Sequence, residues 1–293
     1  MPSLAVLRVL LRELSATEHD IPRVREPDLV MDDPDKVAAY TRAGRLDGVM
    51  APVYLFHCVN ICEVIKPGDR VIDLACGPAT QLAQVARLNP DVEFTGIDLS
   101  LPMLERAQAH VDELGLRNVR FGHSSITELK AFAAESVDAV MSTMALHHLP
   151  DVRDLQQTFA EIGRVLRQGG GLYLVDFGRL RTKASIEYFA HQYADRQPEL
   201  FTQDYFHSLN AAFLPTDFCR AAMPLSGRAR FYTTFGFPMM MALKSWRRRS
   251  LGNDLLENLR REFSRMPAHH RADFRDLKIF FSLGGLRTAK LTA

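Results

Sequence analysis

Apolar and polar residues alternate along the middle of the chain in two different periods. Short apolar runs predict buried strands, and segments with apolar residues three and four apart predict helices. The predicted strands are 70–74, 92–97, 119–121, 136–142 and 171–177. The predicted helices between them are 79–88, 103–114 and 154–166. Because strands that alternate with helices form parallel β-α-β units, the pattern predicts a doubly wound α/β sheet.

Helical patterns flank this alternation on both sides. The segments before it are an amphipathic 1–14, then 35–46 and a strongly apolar 50–65. Those after it are aromatic-rich helices at about 180–225, a strand pair at 230–234 and 239–243, and two amphipathic helices within 255–281. We therefore expect a mostly parallel seven-stranded sheet with helices on both faces. The predicted organisation is an N-terminal helical cap (1–66), a core (67–243) with a helical insertion at about 180–225, and a basic C-terminal helical extension (244–293).

Composition places the chain among ordinary globular proteins. Of its 293 residues, 47% are hydrophobic and 24% are charged, which excludes wholesale disorder and a disulfide-stapled miniprotein. The formal net charge is +1, but residues 241–293 carry 12 basic and 5 acidic side chains, so this segment has +7 and the rest −6. The basic run 244–249 either meets a polyanion such as RNA or forms a solvated helical face.

The four cysteines do not suggest a disulfide framework. Cys58 and Cys62 are four apart on a predicted helix, yet no further soft ligands accompany them, so we expect buried thiols and no metal site. The apolar segment 1–14 is interrupted by charged residues, unlike a signal peptide. No apolar run reaches the ~18 residues that span a bilayer. These features predict a cytoplasmic protein without a membrane span.

The loop after the first predicted strand offers a ligand site. In open α/β sheets, ligands lie beyond the carboxyl ends of the strands. Gly77 and the small Ala75 let a ligand approach the backbone closely. The G-x-G-x-x-G spacing of dinucleotide sites is absent, and Pro78 removes a donor that a pyrophosphate would use. The loop therefore favours a ligand without phosphates.

The second predicted strand ends at Asp98, which is 21 residues after Gly77. An acid at this spacing is placed to accept hydrogen bonds from both hydroxyls of an adenosine ribose. The alternative is that Asp98 caps the following helix. Together, the loop and the acid favour a nucleoside ligand.

The chain resembles the class I S-adenosylmethionine-dependent methyltransferases over about residues 65–180. The segment VIDLACGPATQLAQVA is similar to their glycine-rich first motif, and FTGIDLS is similar to the segment that carries the ribose-binding acid. MSTMALHHLPD and RVLRQGGGLYLVDF resemble the segments around the fourth and fifth strands. The family usually has an acid after the third strand to bind the adenine amino group, whereas this chain has Ser125.

The resemblance implies that S-adenosylmethionine is bound and that its methyl group passes to a small molecule at an O, C or S centre. No Asn/Asp-Pro-Pro-Tyr/Phe signature of amine methylation follows the fourth strand. The predicted donor-binding residues are Asp73, Ala75, Cys76, Gly77, Asp98, Leu99, Met103, Ser124, Ser125 and Ile126. The predicted acceptor-binding residues are Tyr54, His57 and His191, with the N-terminal helices and the 180–225 insertion closing over the site.

The catalytic candidates follow the fourth and fifth strands. Transfer from a sulfonium needs mainly proximity and dehydration, with a base at most to take the acceptor's proton. His147 follows the fourth strand and Asp176 ends the fifth, so either is a candidate base. The alternatives are that His147 packs a turn and that Asp176 caps a turn or pairs with Arg179.

Three other interpretations remain open. The basic tail could serve an RNA or protein methyltransferase, although near-zero net charge leads us to expect no nucleic-acid partner. The fold could hold the nucleoside without transferring a methyl group. A nicotinamide-dependent oxidoreductase has the least support, since glycines are missing and Pro78 is present. The C-terminal helices could form a homodimer or pack on the sheet.

Overall fold

A seven-stranded sheet forms the centre of the protein. The computed structural model describes residues 4–16, 21–28, 31–44 and 48–291. The strand order is β3-β2-β1-β4-β5-β7-β6, and β7 is antiparallel to both of its neighbours while the other pairs are parallel. This confirms the predicted doubly wound, mostly parallel sheet. The strands are β1 (Arg70–Leu74), β2 (Glu93–Asp98), β3 (Val119–His123), β4 (Val137–Thr143), β5 (Leu166–Phe177), β6 (Ala229–Thr233) and β7 (Met240–Ser245).

Helices precede, connect and follow the strands. Their positions agree with the predicted helices to within a few residues, and predicted residues 1–3 and 45–46 lie outside the described part of the chain. The helices are α1 (Leu4–Ser15), α2 (Pro34–Ala43), α3 (Ala51–Val64), α4 (Thr80–Leu88), α5 (Leu101–Glu113), α6 (Val152–Val165), α7 (Lys183–His191), α8 (Glu199–Ala211), α9 (Pro215–Ala221), α10 (Asn253–Arg265) and α11 (Ala268–Leu283).

Side chains of the central strands alternate between two apolar clusters. Along β1, Val71 belongs to the cluster that contains α3, α4 and α11, whereas Ile72 belongs to the one that contains α6 and α9. Along β5, Tyr173 and Leu174 divide in the same way. Because successive side chains of a strand point to opposite faces, the sheet is covered by helices on both sides.

Helix α3 is part of the apolar core, although it falls within the predicted N-terminal cap (1–66). Nearly all of its side chains are buried, and it contacts β5, α4, α10 and α11. Gly171 on β5 permits this contact, since a Cβ atom there would lie 2.0 Å from the carbonyl oxygen of Val64. Helix α1 packs against α7, and α2 packs against α8 and α5.

The basic run 244–249 lies at the end of β7 and in the loop after it, not on a helix, and most of its basic side chains pair within the fold. Lys244 is 6% exposed and pairs with the buried carboxylate of Glu63. Arg248 pairs with Asp69. Two further arginines also donate hydrogen bonds within the fold. Arg247 donates to the Glu63 carboxylate, and Arg249 donates to the carbonyl oxygen of Cys62 and to the Asn89 side chain. Much of the local positive charge is therefore neutralised within the fold.

The C-terminal helices pack on α3 rather than offering an open apolar face. Leu259 and Phe263 of α10, and Phe274 and Phe281 of α11, are buried in the same cluster as α3. This favours the intramolecular alternative over a dimer interface on these apolar faces. Within the described ranges, no helix combines the length and the apolar character needed to cross a bilayer.

Candidate functional site

The loop between β1 and α4 has an unusual backbone. Ala75, Gly77 and Ala79 all have positive φ, at 53°, 52° and 58°. Glycine adopts this conformation readily, whereas it costs each alanine about 1–2 kcal/mol of conformational free energy. Such strain is concentrated at functional sites because the surrounding structure must hold it in place. The loop therefore has a fixed shape at the carboxyl end of the sheet.

Asp98 at the end of β2 holds this loop. Its Oδ2 accepts a hydrogen bond from the Gly77 N–H at 2.8 Å, and its Oδ1 accepts one from the Ser100 N–H at 2.9 Å. Burial raises the pKa of Asp98, and the backbone donors partly oppose this shift. The helix cap is Ser100, which accepts from the Met103 N–H, so the capping alternative for Asp98 is wrong. A carboxylate has about four lone-pair sites, which leaves room for ligand hydroxyls.

A cavity of about 250 Å³ opens beside these two loops. All ten predicted donor-binding residues line it: Asp73, Ala75, Cys76, Gly77, Asp98, Leu99, Met103, Ser124, Ser125 and Ile126. We call this the donor cavity. The structure brings these residues together, and their contacts with a ligand remain a prediction. The cavity also has lining residues that were not predicted, among them Met31, Tyr40, Thr80, Gln81, Thr143, Met144 and Asp154.

The donor cavity contains polar atoms that call for a polar ligand. Gln81 Oε1 and Thr143 Oγ1 are buried and have no hydrogen-bond partner among the described residues. The Asp73 carboxyl is 3% exposed, and burial together with the nearby charge of Asp98 raises the pKa of Asp73 well above its ordinary value. Buried polar groups are normally satisfied. A ligand with hydroxyl and cationic groups, such as S-adenosylmethionine, fits this set of acceptors.

Ser124 and Ser125 lie where the family usually has the adenine-binding acid. The Ser125 hydroxyl is 2.8 Å from the Thr127 hydroxyl and accepts from the Thr127 N–H. The Ser124 hydroxyl donates to the carbonyl oxygen of Glu128 at 3.2 Å. Both hydroxyls are thus engaged within their own loop, which favours backbone groups for any contact with an adenine edge.

His147 and Asp176 are paired with each other instead of facing the donor cavity. His147 lies in a single 3₁₀ turn (Leu146–His148), and its Nδ1 is 2.6 Å from Asp176 Oδ1. Asp176 Oδ2 also accepts a hydrogen bond from the backbone N–H of His147 at 2.7 Å. Burial alone would lower the pKa of His147, but the charge and hydrogen bond of Asp176 outweigh it and raise the pKa. Neither residue lines the cavity, whereas His148 does.

This pairing rules out one alternative. The alternative that Asp176 pairs with Arg179 is wrong, because the Arg179 Nε donates to the carbonyl oxygen of Ala212. The side chains of His147 and Asp176 are each 2% exposed, and the role of either as a base remains a prediction. Asp176 positions the histidine.

The three predicted acceptor-binding residues lie in three different places. Tyr54 lines the donor cavity, with its hydroxyl 3.3 Å from that of Tyr40. His57 is a core residue, since it is fully buried and its Nδ1 is 2.7 Å from the Tyr173 hydroxyl. His191 is exposed at the end of α7 and lines a separate surface depression beside α1. Of the three, Tyr54 alone lines the donor cavity, and the contact of any of them with an acceptor remains a prediction.

A second cavity, of about 470 Å³, adjoins the donor cavity. Met144, directly after β4, lines both cavities and has a positive φ of 53°. We call this second space the aromatic cavity. Its walls come from α3, α7, α8, α11 and β7, and its rings belong to Phe177, Tyr188, Phe189, Tyr193, Phe201, Tyr205, Phe237 and Phe280. The predicted aromatic insertion supplies most of these rings.

Comparison with known proteins agrees with this geometry. Residues 71–170 match the family model described as a methyltransferase domain. The 27-O-demethylrifamycin SV methyltransferase of Amycolatopsis mediterranei is 34% identical over 128 residues, which are 42% of this chain and 44% of that protein. The demethylmenaquinone methyltransferase of Listeria welshimeri is 34% identical over 113 residues, which are 38% of this chain and 46% of that protein. The chain therefore matches less than half the length of these curated relatives.

Solved structures show the same fold. The plantazolicin methyltransferase in complex with SAH has a TM-score of 0.54 at 15% identity, over 90% of this chain and 92% of that one. A SAM-dependent methyltransferase from Aquifex aeolicus has a TM-score of 0.51 at 17% identity, over 73% of this chain and 97% of that one. This chain therefore contains a methyltransferase domain and has the fold of the class I S-adenosylmethionine-dependent methyltransferases.

Proposed function

We propose that the protein transfers a methyl group from S-adenosylmethionine to an apolar, ring-bearing small molecule at an O, C or S centre. The observation that carries this proposal is the position of Met144, which lines both the polar donor cavity and the aromatic cavity. A donor in the first cavity and an acceptor in the second would meet beside this residue.

The donor cavity would hold the cofactor by complementary charge and shape. Asp98 would accept from the ribose hydroxyls, and the Asp73 carboxyl would offer a further hydrogen-bond acceptor to the ligand. Leu99, Met103 and Ile126 supply apolar surface for an adenine ring. Nothing lies within 4 Å of the position that a Cβ would take at Gly77. A ligand could therefore approach the backbone there.

The aromatic cavity supports an apolar acceptor with a few polar groups. Apolar and aromatic side chains dominate its walls, as in most small-molecule sites. The polar groups in this cavity include Tyr193 and two residues of α11, Asp273 and Asp276. Burial raises the pKa of Tyr193, and the charge and hydrogen bond of Asp273 raise it further. Two relatives are named as methyltransferases of 27-O-demethylrifamycin SV and of demethylmenaquinone. These names support a small-molecule acceptor.

Catalysis would rest on positioning and on exclusion of water. S-adenosylmethionine supplies an activated methyl group, whose bond to sulfur breaks as the bond to the acceptor forms. Holding the two reactants in line lowers the activation free energy by roughly 7–11 kcal/mol in well-oriented systems. The ring-lined walls of the aromatic cavity would exclude water from the acceptor. The acceptor's proton would leave to solvent or to a group at the cavity wall.

We also propose a cytoplasmic location. Cys58, Cys62, Cys76 and Cys219 are all free thiols, and Cys219 is exposed. Free exposed thiols are typical of reducing compartments.

The test uses labelled S-adenosylmethionine with a panel of quinols, phenols and thiols. Ala272 is an exposed residue of α11 that lines the aromatic cavity, so Ala272→Trp should fill the cavity without disturbing the core. We expect Ala272→Trp to lower methyl transfer and to leave S-adenosylhomocysteine affinity unchanged. Ala268→Trp, exposed at the start of the same helix and outside the cavity, is the matched control. Full transfer by Ala272→Trp would remove the aromatic cavity as the acceptor site. Cofactor binding without transfer to any acceptor would favour the nucleoside-binding alternative.

A further inference from the structure

A group of metal-ligating side chains lies next to the donor cavity. Glu26 Oε1 is 3.9 Å from His147 Nε2 and 4.0 Å from His148 Nδ1. All three potential ligand atoms lie within 4.8 Å of one another. The side chains of Glu26 and His147 are 5% and 2% exposed. We call these three residues the Glu-His-His cluster.

His147 presents an unused ring nitrogen to this cluster. Its Nε2 is buried and has no hydrogen-bond partner among the described residues. The separation of 3.9 Å from Glu26 Oε1 is too long for a direct hydrogen bond. Because Asp176 engages Nδ1 at 2.6 Å, the tautomer with its proton on Nδ1 leaves a lone pair on Nε2. This lone pair is aimed at a space that Glu26 also faces.

The groups around the cluster hold its side chains in place, as the neighbours of ligands do in known metal sites. A metal-bound histidine almost always donates its other ring N–H to a carboxylate or carbonyl, as His147 does to Asp176. The Glu26 Oε1 accepts from the Ser208 hydroxyl at 2.8 Å, which fixes the carboxylate. Asp204 lines the same cavity of about 140 Å³ as Glu26 and His148.

We infer that the Glu-His-His cluster binds a divalent transition metal of the zinc type. Two imidazole nitrogens and one carboxylate are a known zinc ligand set with an open fourth position, whereas Mg²⁺ and Ca²⁺ prefer oxygen ligands. Ligands at about 2.0–2.1 Å in a tetrahedron lie roughly 3.3 Å apart, so binding needs each pair to close by less than about 1.5 Å.

A metal here would fasten the N-terminal segment over the donor cavity. Glu26 belongs to residues 21–28, while both histidines belong to the turn after β4. Arg23 of the same segment already donates to the carbonyl oxygens of His147 and Leu149. His148 and Met31 line both the donor cavity and the cavity that contains Glu26. The site thus links residues 21–28 to the cofactor end of the sheet.

The test is metal binding by the chelator-treated full chain, which is independent of methyl transfer. Zn²⁺ is titrated by calorimetry, and Co²⁺ is titrated by the visible absorption that tetrahedral cobalt gives. We expect one ion per chain, loss of binding in Glu26→Gln and in His148→Ala, and about 10–100-fold weaker binding in Asp176→Asn. His123→Gln, a histidine remote from the cluster, is the control for adventitious surface binding and should bind as wild type does.

Metal-free thermal unfolding of each variant shows that it is folded before titration. Absence of saturable binding by the wild type would overturn the inference. Binding by Glu26→Gln and His148→Ala as tight as that of the wild type would also overturn it.

Discussion

The Asp98 carboxylate accepts a hydrogen bond at 2.8 Å from the backbone N–H of Gly77, which precedes it by 21 residues. The bond joins the loop after β1 to the end of β2 at the mouth of the donor cavity. Asp98 therefore shapes the glycine loop, and we propose that it also presents an acceptor to the ligand. Ala75 and Ala79, which adopt positive φ on either side of Gly77, depend on the same anchored loop.

Gly96 on β2 controls how closely this loop packs against the sheet. A Cβ atom there would lie 2.8 Å from Cys76 Sγ and 2.9 Å from side-chain atoms of both Leu82 and Phe121. We expect Gly96→Ala to cost about 1–3 kcal/mol of unfolding free energy, which is typical of overpacking. It should also weaken S-adenosylhomocysteine binding, because Cys76 must move. Urea unfolding and calorimetry measure the two effects.

Gly122 on the adjacent strand β3 is the matched control. Nothing lies within 4 Å of the Cβ position at Gly122. Gly122→Ala should therefore change the unfolding free energy by less than about 0.5 kcal/mol. Equal losses in the two variants would show that Gly96 has no special packing role.

Arg23 ties the segment 21–28 to the core. Its guanidinium donates to four backbone carbonyl oxygens, those of His147, Leu149, Pro150 and Ala211, at 2.6–2.8 Å. Because a charged donor would be lost and buried carbonyls left unpaired, Arg23→Gln should cost about 1.5–3 kcal/mol of unfolding free energy. Urea unfolding measures this loss.

Arg25→Gln is the control for a general effect of charge. The Arg25 side chain is 63% exposed and lies 3.9 Å from the Asp151 carboxylate. Exposed ion pairs contribute about 0–1 kcal/mol, so this variant should be close to the wild type. A loss for Arg25→Gln as large as that for Arg23→Gln would contradict the anchoring role.

His57 should make stability depend on pH. Its burial lowers the pKa to about 3 from an ordinary value of 6.5. Between these values the unfolded chain binds a proton that the folded chain excludes, so stability falls as pH decreases from 6.5 towards 3. The contribution of this one group is up to about 1.4 kcal/mol per pH unit. The free-energy difference between wild type and a less stable His57→Gln should therefore shrink between pH 7 and pH 5.

Tyr173→Phe separates this effect from the loss of a hydrogen bond. The variant removes the partner of His57 Nδ1 but keeps the imidazole buried. It should be less stable than the wild type at pH 7 and retain the acid sensitivity. A constant gap between wild type and His57→Gln at all pH values would show that His57 does not cause the effect.

Local patterns predicted the sheet and the donor cavity well, because both depend on short segments. The strands are continuous apolar runs, and the donor residues sit at strand ends whose positions follow from the parallel topology. Helix α3 was placed in the N-terminal cap, because no local pattern shows that its apolar surface packs against β5 and α11. The burial of Lys244 requires Glu63, a partner from α3, which no periodicity reveals.

The remaining site residues depend on contacts that are distant in sequence. His57 was placed at the acceptor site because it follows Tyr54 on the same helix, yet its side chain points to Tyr173 on β5. Glu26 lies in a segment without regular secondary structure, so its approach to His147 left no sequence signal. Thr143 was within reach of sequence reasoning, since it ends β4 at the cofactor edge of the sheet.

Binding of S-adenosylhomocysteine tests the central claim most directly. Calorimetric titration should show one site in the wild type, and Asp98→Ala should weaken binding by about 1.5–3 kcal/mol, the value of hydrogen bonds to a charged group. Asp98→Asn keeps one acceptor oxygen and the side-chain shape, so it should give a smaller loss, and the exposed Asp91→Ala should give none. Failure of the folded wild type to bind, or unchanged affinity in Asp98→Ala, would contradict the assignment of the donor cavity.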